Sequence, residues 1–211
     1  MSSLILQQYG ITLKRVEEED IELIRKWRNH PSIKKRMAYK KKISELEQKK
    51  WFASINNKYN YYFMIMIDNQ SIGVINCKDT SVEEKYGEGG IFIWEEKFIQ
   101  TPTPFIASMI LLDYIFNCIE IGNISFIRIL SDNQPAIRYN RYLGYIKAPK
   151  QENIKNQLYV LTKETFNNKI SRLRKAAGNF NESDRVLHVS GNICELNLPE
   201  VNESINKDYT M

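Results

Sequence analysis

Asn133-Gln134-Pro135-Ala136-Ile137-Arg138-Tyr139-Asn140-Arg141-Tyr142-Leu143-Gly144-Tyr145 carries the signals for both ends of one short helix. Asn133 offers a side-chain acceptor to the first free amides of a helix. Pro135 suits the first turn, where its missing N–H is not needed, and Gly144 suits the left-handed residue that closes a helix. Working outward, Ile124 to Leu130 reads as a strand before this helix. Tyr145 to Lys147 and Leu158 to Leu161 read as strands that close the sheet after it. Further upstream, Phe105 to Ile119 is apolar nearly all round, which predicts a helix packed on most sides. Glu88 to Trp94 is a strand rich in isoleucine and aromatics. Strand, helix and strand (88–94, 105–119, 124–130) make a βαβ crossover, expected to be right-handed with its strands parallel. A ligand slot is expected beyond the carboxyl end of the first crossover strand, where the next helix begins.

The N-terminal half supplies an antiparallel meander. Ile11 to Val16 is the first strand. Glu17-Glu18-Glu19-Asp20 opens a helix that ends in Arg25, Lys26 and Arg28 before Pro31, acid first and base last as the helix dipole favours. Ser44-x-x-Glu47 is a capping box starting a second helix with Leu46, Trp51, Phe52 and Ile55. Tyr61 to Ile67 and Ser71 to Cys77 flank Asp68-Asn69-Gln70 as a hairpin. The order β-α-α-β-β-β-α-β-α-β-β predicts an α/β (α+β) fold: a mixed, mostly antiparallel central sheet with helices on both faces and one βαβ crossover.

The chain has 211 residues, 43% of them apolar and 26% charged, enough for one domain with a sizeable core and an appendage. Residues 1–163 hold 24 basic and 18 acidic groups, and residues 164–211 hold 6 and 7. A boundary is therefore expected near residue 164, followed by a C-terminal helix (Thr165 to Ala177) and a weakly ordered tail. Leu4-Ile5-Leu6 is too short for a signal sequence, and the stretch 104–119 is too short to span a bilayer. These features predict a soluble cytoplasmic protein. The scattered Cys77, Cys118 and Cys194 form no CxxC and, with only His30 and His188, give no metal-site pattern.

Two segments are more specific. Asn133-x-x-Ala136-x-x-x-Asn140-x-x-x-Gly144-Tyr145 resembles the closing motif of the GCN5-related N-acetyltransferases (GNAT). Leu23-Ile24-Arg25-Lys26-Trp27-Arg28-Asn29, with Ile33 and Met37, resembles the opening of the branch holding ribosomal-protein and nucleotide-aminosugar acetyltransferases. The element order is similar to that fold over residues 8–163.

The resemblance implies acetyl-CoA as acyl donor, with its pantetheine arm between strands 88–94 and 124–130. It also implies the pyrophosphate on amides of the loop 98–105. By this reading the donor would meet Phe92, Ile93 and Trp94 of the strand. It would also meet Gln100, Thr101, Thr103, Phe105 and Ile106 around the helix start, and Asn133 and Asn140. The chain departs from the family pattern twice. Thr103 and Phe105 stand where the loop has small residues, and Pro102 and Pro104 remove two amide donors. Asn140 stands where the family often has a tyrosine that protonates the leaving thiolate; Tyr139 and Tyr142 are its neighbours but point about 100° or more away on a helix, so either Asn140 only positions the thiol or another group does the acid work.

Acyl transfer needs a neutral amine, a polarised carbonyl and close approach. The resemblance implies backbone amides of strand 88–94 as the donors to that carbonyl oxygen. Glu88 is the first candidate base and His30 the second; Asn140 would position the thiol. The run 34–42 holds six basic residues in nine: a solvated face, or the border of a site for an anionic acceptor such as a nucleotide sugar. The expected partners are thus acetyl-CoA and an amine acceptor, preferably an aminosugar on a nucleotide, without membrane or metal, and with no nucleic-acid reader motif. A homodimer is compatible with this. The alternatives are a protein N-terminal acetyltransferase, or a module of the same fold that binds CoA without chemistry.

Overall fold

The computed structural model describes residues 3–176 and 185–191. Strands run over β1 (Ile5–Gln8), β2 (Ile11–Arg15), β3 (Tyr61–Ile67), β4 (Gln70–Ser81), β5 (Tyr86–Ile93), β6 (Ile124–Leu130), β7 (Ile146–Lys147), β8 (Asn156–Thr162) and β9 (His188–Ser190). Helices run over α1 (Ile21–Asn29), α2 (Pro31–Lys34), α3 (Glu45–Ile55), α4 (Glu96–Ile99), α5 (Thr103–Asp113), α6 (Gln134–Leu143) and α7 (Lys163–Ala176). The strands form one sheet in the order β7-β8-β6-β5-β4-β3-β2-β1-β9. Every neighbouring pair is antiparallel except β5 and β6, the parallel pair of the expected crossover.

Local chemistry accounts for most boundaries. Asp68 and Asn69 both take positive φ (49° and 61°) and close the β3–β4 hairpin. Tyr9 and Gly10 do the same for β1 and β2, so Leu4-Ile5-Leu6 leads into a strand that pattern alone does not assign. The acidic run 17–20 forms a single 3₁₀ turn rather than the start of the long helix, which begins at Ile21. Pro31 opens α2 as well as ending α1. The capping box is formed: the Glu47 carboxylate accepts the Ser44 N–H at 2.7 Å, and the Ser44 hydroxyl accepts the Glu47 N–H at 3.3 Å.

The sheet is covered on both faces. On one, α1 to α3 bury Ile21, Ile24 and Ile33 against Met64, Val74 and Trp94. On the other, α5, α6 and α7 bury Ile110, Ile137, Phe166 and Ile170. All seven residues from Ala107 to Asp113 are buried, as the all-round apolar pattern predicts. Asp113 is fully buried; its carboxylate pairs with Arg174 of α7 and accepts from Asn117 Nδ2 at 2.8 Å. The helix continues from there as one π turn, Tyr114–Cys118. Leu187 is fully buried and leads into β9, which pairs with β1. Cys194, the end of the C-terminal helix expected at Ala177, and most of the weakly ordered tail expected after it lie outside the described residues; residues 185–191 of that tail are described, and His188–Ser190 form β9.

Gly144 sets the direction in which the chain leaves α6. Its φ is +109°, and a Cβ there would lie 3.0 Å from Leu161 Cδ1 and 3.1 Å from Thr165 Cγ2. Gly144→Ala is expected to cost about 2 kcal/mol, from the left-handed backbone and the contact together. Urea unfolding of the two proteins checks it.

Candidate functional site

The parallel pairing of β5 with β6 runs only from Tyr86↔Ile124 to Gly89↔Ile127, although β5 continues to Ile93 and β6 to Leu130. Beyond Gly89 the two strands separate. The Trp94 N–H donates to the Ile72 carbonyl at 3.0 Å, which fixes the alternation along β5. Even-numbered positions bond to β4, and Gly89, Ile91 and Ile93 direct their backbone groups toward β6. The Ile91 amide therefore faces the gap.

A cavity of about 710 Å³ opens at this point. Arg28, Trp51, Tyr62 and Phe92 line it on the α1–α3 side, and Ser108, Tyr139 and Asn140 on the α5–α6 side. It thus passes through the sheet where the strands part. Two glycines of β5 border the opening. A Cβ on Gly90 would fall 2.8 Å from Asn76 Oδ1, and one on Gly89 would meet Ile127 at 3.1 Å and the Tyr145 hydroxyl at 3.6 Å. A thin, flexible chain bearing a carbonyl fits such a slot, with the Ile91 N–H as a donor within it.

Of the residues singled out from sequence, the cavity brings together Glu88, Phe92, Asn133 and Asn140. The Glu88 carboxylate is 2.9 Å from Lys78 Nζ and 4.0 Å from Arg128 Nε, on the same face of the sheet as Phe92. Asn133 caps α6, accepting the Ala136 N–H at 3.4 Å. Asn140 is buried, and its Nδ2 donates to the Ala136 carbonyl at 2.9 Å. His30 stays outside the cavity. It is exposed and caps α2, its Nδ1 2.7 Å from the Ser32 hydroxyl, its ring edge-on to Trp27.

Ile93 and Trp94 also lie outside the lining, buried in the two cores on opposite faces. The Trp94 indole stacks on Trp27 and donates to the Ser71 carbonyl at 3.1 Å. Gln100, Thr101, Thr103, Phe105 and Ile106 surround the start of α5, outside the lining residues. The expected open loop is partly the helix α4. The Thr101 hydroxyl is 2.8 Å from the Phe98 carbonyl and 2.9 Å from the Thr103 hydroxyl, and it accepts the Thr103 N–H at 3.3 Å. Two donors expected for a diphosphate are therefore engaged within the turn. The Phe105 amide is the donor that remains in the first turn.

Tyr139 and Tyr145 are not among the residues expected at the site from sequence, yet both line the cavity. Tyr139 was set aside because it points away from position 140, but the helix turns its ring toward Ser108. Burial pushes the Tyr139 phenol up to about 12, with the Asn140 and Ser108 side chains acting the other way. Burial also raises Tyr145, whose hydroxyl is 2.7 Å from the Ser125 hydroxyl. Both stay protonated near neutral pH and can donate a hydrogen bond. The pair Gly89-Gly90 inside a strand was the one local signal of a close approach.

The sequence matches the family model described as an acetyltransferase (GNAT) domain over residues 11–146, and the chain belongs to that family. No protein of curated function matches it by sequence. Several solved structures share the fold. FdhC, a nucleotide-linked sugar GNAT in its apo form, is 23% identical with a TM-score of 0.66, over 81% of this chain and 97% of that one. A spermidine N-acetyltransferase from Vibrio cholerae, in complex with CoA and spermine, is 15% identical with a TM-score of 0.65, over 74% and 98%. RimL, a ribosomal L7/L12 N-terminal acetyltransferase in complex with CoA, is 15% identical with a TM-score of 0.60, over 72% and 94%. Among the described residues no group of His, Cys, Asp and Glu could hold a metal ion, and no helix is long and apolar enough to cross a membrane.

Burial pushes the Cys77 and Cys118 thiols up to about 12 each, so neither is a nucleophile near neutrality. Native protein treated with iodoacetamide at pH 8 is expected to leave both unlabelled. Peptide mass spectrometry before and after unfolding checks it.

Proposed function

We propose that this chain moves an acetyl group from acetyl-CoA to a primary amine, and that the amine belongs to a sugar carried on a nucleotide. The observation that carries the reading is the early end of the β5–β6 pairing at Gly89 and Ile127, with a cavity through the sheet at that point. The bound donor would supply an activated thioester carbonyl. The Ile91 N–H is aimed where that carbonyl oxygen would lie, and Gly89 and Gly90 leave room for the arm. Phe92, Asn133 and Asn140 flank it. Family membership supports the reaction class. The nucleotide sugar draws on the likeness to FdhC, on Trp51 and Tyr62 as surfaces for a base, and on Arg36 and Tyr39 of the basic run at the cavity wall.

In the reaction a nitrogen–carbon bond forms and the carbon–sulfur bond breaks. The incoming ammonium loses two protons, one to solvent and one, in balance, to the departing sulfur. Glu88 takes the first, directly or through water, Lys78 holding the carboxylate in place. Tyr139 serves the sulfur. A phenol near 12 is too weak an acid to protonate a thiolate whose own pKa is about 8.5. Its contribution is a donated hydrogen bond while the thiolate leaves, and Asn140 orients that ring. The test is release of free thiol from acetyl-CoA with a panel of nucleotide aminosugars; no release and no CoA binding would remove the reading. Tyr139→Phe is expected to lower kcat about tenfold with little change in KM, the size of one lost hydrogen bond.

A second reading, a module that binds CoA without turnover, is favoured by one observation: Thr101 and Thr103 spend their donors on each other and on Phe98. Calorimetry showing CoA binding, with no thiol release for any amine, would select it.

A further inference from the structure

We propose that Arg28 and Gln48 form an oxyanion subsite on the α1–α3 side of the cavity, so that the amine acceptor carries a phosphate or carboxylate and polycationic amines are rejected. This rests on the acyl-transfer reading above for the identity of the amine, but not for the existence of the subsite.

Arg28 closes the last turn of α1 and lines the cavity. Its helix neighbour Arg25 bonds Glu22 at 2.6 Å, and Lys14 bonds Glu17 at 2.7 Å. Arg28 has no such pair among the described residues. Its Nη1 is 3.0 Å from the Met37 sulfur, and its guanidinium stands 5.6 Å above the Phe92 ring. These contacts hold the group but do not neutralise it. Burial lowers its pKa, the mark of a cation that has lost water without gaining an anion.

Gln48 lies on α3 and lines the same cavity. It is 4% exposed, and its Nε2 has no hydrogen-bond partner. A buried amide left unpaired is costly unless a ligand supplies the acceptor. Arg28 has donors and no acceptor, and the Gln48 nitrogen likewise offers only hydrogens. The group that satisfies both is an oxygen-only anion.

The rest of the cavity wall agrees in sign. Its carboxylates are Glu47 and Glu88. Glu47 is committed to the Ser44 amide and hydroxyl, and Glu88 to Lys78. Arg28 and Arg36 are left without a countercharge in the lining. A polyamine would bring its further ammonium groups against Arg28 and Arg36, the charge of Glu88 beside the reacting amine being already shared with Lys78.

The test compares glucosamine 6-phosphate, β-alanine, glucosamine and spermidine as acceptors, with CoA affinity measured separately. Glucosamine 6-phosphate is expected to exceed glucosamine at least tenfold in kcat/KM, with spermidine lowest; β-alanine shows whether a carboxylate serves in place of the phosphate. Arg28→Gln is expected to reduce the phosphate-to-neutral ratio about tenfold through KM, and Arg28→Lys to restore part of it. Gln48→Leu should act in the same direction with a smaller effect. Glucosamine or spermidine used as well as the phosphate ester would overturn the proposal, as would a ratio unmoved by Arg28→Gln. If no amine releases thiol, the acyl-transfer reading fails alone, and the subsite is read by calorimetric titration of glucosamine 6-phosphate into the wild-type and Arg28→Gln proteins. Binding lost in the variant sustains it; no binding to the wild type, or equal binding to both, ends it.

Discussion

One backbone constraint organises the molecule: two parallel strands pair for four residues and then part. A sheet that stayed paired would bury its own amides and leave no route between its faces. By stopping at Gly89 and Ile127, the pairing frees backbone donors in the middle of a covered sheet, a place where unpaired donors are normally expensive. The strands can remain apart because each is held on its other side. β5 pairs with β4 through Ile93, and β6 pairs with β8 through Leu130. The opening is thus maintained by the ladders that flank it rather than by any wedge within it.

The two faces then divide the work. On the α5–α6 side the polar groups of the cavity wall include Ser108, Tyr139 and Asn140, which do not carry charge near neutrality, among apolar residues such as Leu111 and Ile115. On the α1–α3 side it is charged and aromatic: Arg28, Arg36, Trp51, Tyr62 and Phe92. The Phe92 ring sits at the crossing, on the strand that borders the gap and beneath the Arg28 guanidinium. A shift of that strand would therefore be felt on both sides of the sheet.

Much of this was legible in the sequence because it is written in local chemistry. Asn133, Pro135 and Gly144 mark α6, Ser44 and Glu47 mark α3, and Asp68-Asn69 marks the β3–β4 turn; each acts through backbone geometry within a few residues. The order of elements then follows from apolar periodicity. What stayed hidden depends on long-range register or on side-chain direction. β1 is four residues long and its partner strand β9 lies about 180 residues later, beyond the reach of any local pattern. His30 and Glu88 are both candidate bases by chemistry, but only the strand register brings Glu88 to the cavity, while the proline after His30 turns it into a cap. Tyr139 was discounted by counting residues around a helix, a rule that fixes where the Cβ starts and not where a long ring ends.

The pairing of β1 with β9 has a consequence for how the chain is made. β1 stands between β2 and a strand that is synthesised about 180 residues after it. Until then its outer edge carries unsatisfied amides and carbonyls, and Leu187 has yet to fill its place in the core. Such edges invite association between nascent chains. This edge of the sheet is therefore sealed late, and a polypeptide cut short before residue 187 would carry an open, adhesive border.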